Sequence, residues 1–189
     1  MQPVAMLCCG FRLQAPAQPA VRGAKSGLDR VPNRLRVTRD EGVMATTIEH
    51  KMIYRLAEGS ADMVDLLGSK GAHASEMARI GIPVPPGFVI TTEACLEYFR
   101  VGRRFPDGLW DSVVANVHLL EQETGRVFGD PVNPLVVSVR SGSAVSMPGM
   151  MDTVLNMGVT DRTVAGVAKM MNDERPALDA YRRVVQGFG

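Results

Sequence analysis

Apolar positions recur at helical spacing over residues 72–80, where Ala74, Met77, Ala78 and Gly81 fall at i, i+3, i+4 and i+7. Gly81 and Pro83 end that run, and the stretch 83–87 (PVPPG) reads as a stiff, extended connector. Residues 88–91 (FVIT) predict a short buried strand. Thr92 then reads as the cap of a helix with Cys95, Leu96 and Phe99 inward. Asp107 is placed to cap a longer helix that aligns Trp110, Val113, Val114, Val117 and Leu120 on one face. Residues 135–139 form a β-branched run that starts after Pro134 and delivers Arg140 to its end, so they predict a strand. Asp161 reads as the cap of a helix with Val164, Val167, Ala168 and Met171 inward. Pro176 suits the first turn of a last helix, with Leu178, Tyr181, Val185 and Phe188 inward. That helix reaches Gly189 with nothing after it to cover its apolar face, so the chain is expected to be the front of a larger protein.

The opening 43 residues break this pattern. They carry seven basic residues (Arg12, Arg22, Lys25, Arg30, Arg34, Arg36 and Arg39) and three acidic ones, Asp29, Asp40 and Glu41. Prolines interrupt any period, and such a segment buries too little apolar surface to offset its ordering entropy. Residues 1–43 are therefore expected to be disordered. Two readings fit: an Arg-rich, acid-poor transit peptide for a plastid or mitochondrion, or a leader without an address. Ser26 is the only serine there, which weighs against the first. The apolar stretch 4–10 is short and lacks a preceding positive charge, unlike a secretory signal. A protein begun at Met44 would lack the leader and stay in the cytosol.

Composition narrows the class without naming a function. The 189 residues carry a net charge of +1, which gives no reason to expect nucleic acid or an anionic membrane as partner. No apolar run approaches the roughly 20 residues that span a bilayer. Cys8, Cys9 and Cys95 form neither a metal-ligand spacing nor a disulfide framework.

Two local segments can carry chemistry. Residues 67–72 (LGSKGA) stand directly before the helix expected at Ala72. Small residues let backbone approach a ligand, a helix start offers free N–H groups, and Lys70 adds a full charge; together these suit a phosphate. The chain has four lysines against seventeen arginines, so Lys70 is not part of a lysine-rich surface. The order is not that of a Walker A loop, and a solvated lysine at a helix start is the plainer alternative. The second segment is residues 138–153. Arg140 offers a planar fork for phosphate oxygens, and the Ser, Gly and Ala run after it offers hydroxyls and accessible N–H groups. An ordinary loop with Arg140 in a structural ion pair is the alternative. Met147, Met150, Met151 and Met157 read as core filling. His50, His73 and His118 stand in no ligand spacing. Asp152 reads as a turn residue before a metal ligand, and Arg100, Arg103 and Arg104 as a solvated helix end.

At these two segments the sequence resembles pyruvate phosphate dikinase. The stretches that carry the resemblance are 67–77 (LGSKGAHASEM), 82–98 (IPVPPGFVITTEACLEY) and 134–158 (PLVVSVRSGSAVSMPGMMDTVLNMG). The MPGMMDT run separates this family from phosphoenolpyruvate synthases and glucan dikinases, which share the first loop and the arginine strand but lack it. The resemblance implies an α+β fold, the first lobe of an ATP-grasp-like domain over residues 44–160, with a helical subdomain beginning at 161–189. It implies binding of ATP, in a reaction that interconverts ATP, phosphate and pyruvate with AMP, pyrophosphate and phosphoenolpyruvate. Lys70 takes the place of the family's ATP-phosphate lysine and Arg140 that of its phosphate-binding arginine. Ser146, Met147, Pro148, Gly149, Met150, Met151, Asp152 and Thr153 match its phosphate loop. Ser69 stands where glycine is usual, which is tolerable unless the position needs a positive φ. Some members have a further arginine where this chain has Ala144, and no role is assigned there. The family's phosphohistidine, its magnesium (Mg2+) ligands and its pyruvate domain are expected beyond residue 189, so residues 1–189 are expected to hold no catalytic residue and not to turn over alone. The remainder of the polypeptide and a homo-oligomer of the full-length protein are the implied partners. A stand-alone nucleotide- or anion-binding module and an inactive truncation product are the other two readings.

Overall fold

The computed structural model describes residues 4–8, 51–142 and 153–188. The architecture is α+β, as expected. β1 (Val4–Cys8) pairs in parallel with β3 (Gly87–Ile90) on one side and with β4 (Val137–Gly142) on the other. β2 (Ile53–Arg55) lies antiparallel outside β3, and β5 (Thr153–Met157) antiparallel outside β4. The sheet therefore runs β2-β3-β1-β4-β5. Its helices are α1 (Val64–Arg79), α2 (Thr92–Arg100), α3 (Leu109–Thr124), α4 (Val164–Met171) and α5 (Glu174–Phe188).

The strand period of two divides the core. Phe88 and Ile90 of β3 join Leu109 and Leu120 of α3, while Val89 between them joins Leu67, Ala72 and Ala74 of α1. Val137 packs with the α3 cluster. Val136, one residue earlier, packs with Val159, Val167 and Ala177, so the α4–α5 pair (within the stretch expected to begin a helical subdomain) shares a core with the strands. Gly71 lets α1 lie close on β3: a Cβ there would stand 3.1 Å from Val89 Cγ1.

The strand at residues 4–8 corrects the expectation for the leader, whose remaining residues lie outside those described. Five consecutive apolar residues, VAMLC, suit a strand flanked on both edges in a parallel ladder. The helix expected from Ala72 begins at Val64 instead. It breaks at Gly68, whose φ of 69° and ψ of 160° lie in a region nearly confined to glycine. β4 does not end at Arg140 but continues through Ser141 and Gly142, and Thr153 opens β5 rather than closing a loop.

The inward faces also need correction. On α2 the buried residues are Ala94 and Cys95, while Leu96 and Phe99 are exposed. On α3 Leu109 and Leu120 are buried with Val113 and Val117 packed beside them; Trp110 and Val114 face solvent, and the Trp110 ring lies 5.9 Å from that of Phe105. Met77 and Met171 are exposed where α1 and α4 were expected to bury them. On α5 the buried residues are Ala177 and Ala180, and Leu178 and Val185 are exposed; nothing is described of the Phe188 side chain. The common cause is close packing. Gly71, Ala72, Ser75, Ala94 and Ala177 let helices approach the sheet, so small residues face it and larger neighbours turn outward. Met157 does pack against the α3 cluster; Met147, Met150 and Met151 lie outside the described residues.

The caps differ as well. Thr91, not Thr92, caps α2: its hydroxyl accepts from Ala94 N at 3.2 Å and its side chain is buried. Gly108, in the left-handed region, precedes α3 where Asp107 was expected to cap it. Thr163 stands before α4, while the Asp161 carboxylate accepts from Arg162 N at 3.0 Å. Before β4, Asp130 Oδ1 accepts from Val132 N at 2.6 Å and Asn133 N at 3.1 Å, fixing the turn that leads into buried Leu135.

Candidate phosphate site

The break at Gly68 restarts α1 at Ser69, so Ser69 and Lys70 occupy the first turn of a new helical segment. A helix start presents backbone N–H groups without intrahelical acceptors and a partial positive charge. Ser69 is not among the residues with positive φ, so its side chain is compatible with its position. Lys70 is exposed, and its Nζ donates to the carbonyl oxygen of Ser141 at 3.3 Å. That contact joins residues 71 positions apart and brings the lysine to the end of β4.

Arg140 stands one residue before that carbonyl. It is exposed, and on β5 its register partner is Thr153, which is exposed too. Neither Lys70 nor Arg140 enters any ion pair among the described residues. The structural ion pair weighed for Arg140 is therefore not formed there. An amine at the end of β4 and an exposed guanidinium on the same strand, neither paired with a carboxylate among the described residues, are charges that suit an anion. The structure thus places Lys70 against β4 through the Ser141 carbonyl, and Arg140 on that strand opposite Thr153 of β5. Ser146, Met147, Pro148, Gly149, Met150, Met151 and Asp152 lie outside the described residues.

Of the histidines, His73 stands against Ser69 beside Lys70, and His118 is engaged elsewhere. His73 Nδ1 contacts the Ser69 carbonyl at 2.7 Å, and His118 Nδ1 contacts Glu121 at 2.7 Å; His50 is outside the described residues. Among the described residues no three His, Cys, Asp or Glu side chains are grouped to hold a metal ion. No described helix is long and apolar enough to cross a membrane. Sequence reasoning missed the Ser141 carbonyl, because a backbone acceptor leaves no mark on residue type.

The family described as pyruvate phosphate dikinase, AMP/ATP-binding domain, matches residues 64–103, a span that holds Lys70 but stops short of Arg140. A pyruvate, phosphate dikinase of Entamoeba histolytica is 52% identical over 137 residues, covering 72% of this chain and 16% of the relative. The chloroplastic pyruvate, phosphate dikinase 1 of Arabidopsis thaliana is 43% identical over 170 residues, covering 88% of this chain and 18% of its own length. A chloroplastic pyruvate, phosphate dikinase of Flaveria pringlei is 52% identical over 133 residues, 70% of this chain and 14% of its own. The chain therefore spans less than a fifth of these relatives. Over the stretch it shares with them, it belongs to the pyruvate phosphate dikinase family, in the amino-terminal AMP/ATP-binding region.

Proposed function

We propose that Lys70 and Arg140 together hold the phosphate tail of ATP, in the first lobe of an ATP-grasp-like domain. The single observation that carries this reading is the 3.3 Å contact from Lys70 Nζ to Ser141 O, which brings the first segment's cation to the strand that bears Arg140. The restarted helix at Ser69 adds N–H donors of the kind that bind phosphate. Residues 146–153 are proposed as the loop over the same phosphates. The polypeptide that contains this lobe would interconvert ATP, phosphate and pyruvate with AMP, pyrophosphate and phosphoenolpyruvate. Its phosphohistidine, its magnesium ligands and the site for pyruvate are assigned to residues other than these. The Arg-rich opening, with relatives named chloroplastic, supports a plastid address for the leader.

The test is titration of the 189-residue chain with ATP by calorimetry. Charge-assisted hydrogen bonds contribute about 1.5–3 kcal/mol each, so Lys70→Ala and Arg140→Ala should each weaken ATP roughly tenfold to a hundredfold. Wild-type affinity in both variants, or no saturable binding by the parent chain, removes the assignment.

A further inference from the structure

Two adjacent threonines divide their work at the start of α2. Thr91 spends its hydroxyl on the cap of its own helix, accepting from Ala94 N. Thr92 is left to reach across to α1. Its Oγ1 donates to Asp65 O at 2.5 Å and lies 3.4 Å from Leu66 O. These two carbonyls belong to the turn just before the break at Gly68. A helical segment that breaks leaves its last carbonyls short of intrahelical donors, and Thr92 supplies one from a different element. Two residues beyond the break stands Lys70, whose amine must span to Ser141. On the far side of the same segment Gly71 lies tight against Val89 of β3. The short stretch 68–70 is thus fixed from before by Thr92 and from behind by the strand.

We propose that Thr92 is a positioning residue for the phosphate site: its hydroxyl clamps the turn before Gly68 and so sets the direction in which Lys70 leaves the helix. The inference rests on the ATP-site reading given above, and a ligand-free measurement separates the two. Thr92→Val removes the hydroxyl and keeps the shape; Thr92→Ser keeps the hydroxyl. Without ATP, Thr92→Val should raise amide hydrogen exchange over residues 66–72 about fivefold, the change expected from one neutral hydrogen bond. Thr92→Ser should restore protection. With ATP, Thr92→Val should weaken binding about threefold to tenfold in the parent chain and add nothing in the Lys70→Ala background, since its effect passes through Lys70. If the Val variant does not fold, Thr92→Ala serves, because alanine is favourable in a helix.

Unchanged exchange over 66–72, or an equal rise throughout the protein, overturns the clamp. Local loosening with intact ATP affinity, while Lys70→Ala weakens ATP, overturns the positioning role. An equal loss from Thr92→Val with and without Lys70 does the same. Local loosening together with a Lys70→Ala variant that binds ATP normally supports the clamp and removes the ATP-site reading instead.

Discussion

The residue that gives the site its form carries no charge. Gly68 adopts φ 69° and ψ 160°, which a side chain opposes, and it is this break that turns one helix into two and places Lys70 in a first turn. Gly68→Ala should therefore cost about 1–3 kcal/mol and lower the thermal midpoint in calorimetry. Gly81→Ala provides the comparison: its φ is 83°, but no atom lies within 4 Å of a Cβ there and it stands beyond the end of α1, at the opposite end from Lys70. Both variants should lose stability, and only the Gly68 one should also lose ATP affinity. Lys70 and Arg140 stand out in the sequence as cations beside small residues, and the structure brings Lys70 to the strand that bears Arg140. The division between Thr91 and Thr92 was not legible there. The two share one propensity, and which of them caps depends on where β3 stops, a tertiary matter.

At the scale of elements, the helices were legible and their faces less so. With 46% hydrophobic residues, apolar side chains occur on both sides of α2, α3 and α5, and periodicity alone does not say which stripe meets the sheet. β2 and β5 were missed, since each becomes a strand by pairing with a neighbour rather than by its own pattern. The turn before β4 yields a pH prediction. Backbone donation from Val132, then from Asn133, holds the Asp130 carboxyl below its ordinary range. A carboxylate whose folded value is depressed supports the fold fully above its unfolded value and loses that support as pH falls through the folded one. Asp130→Asn keeps an acceptor oxygen but cannot titrate, so its thermal midpoint should fall less steeply than the parent's below about pH 4. Parallel curves would show that the turn does not contribute. Other carboxyls keep the parent acid-sensitive: Glu76, lowered by Arg79 and then by Ala61 N, and Asp179, lowered by Arg182 and then by Arg183.

At the scale of the whole molecule, the sheet order was the least legible feature, because its middle strand comes from the leader. A protein begun at Met44 lacks β1, and the inner edges of β3 and β4 then lose their ladder partners. At about 0.5–1.5 kcal/mol for each hydrogen bond, the loss amounts to several kcal/mol. The Met44 form should melt roughly 10 °C lower than the full chain and lose exchange protection in residues 87–90 and 137–142. Equal midpoints would mean that β1 adds nothing to the fold.

The central ladder also constrains the order of events during synthesis. β1 is made first, yet its longest register is with β4, which follows α1, α2 and α3 in the chain. As the polypeptide emerges, Val4–Cys8 can meet β3 first, and its other edge stays open while α2 and α3 take shape, until β4 arrives and closes the longer loop. A ribosome stalled just before Val137 would hold a nascent chain in which the β4 edge of Val4–Cys8 is still unpaired and open to association.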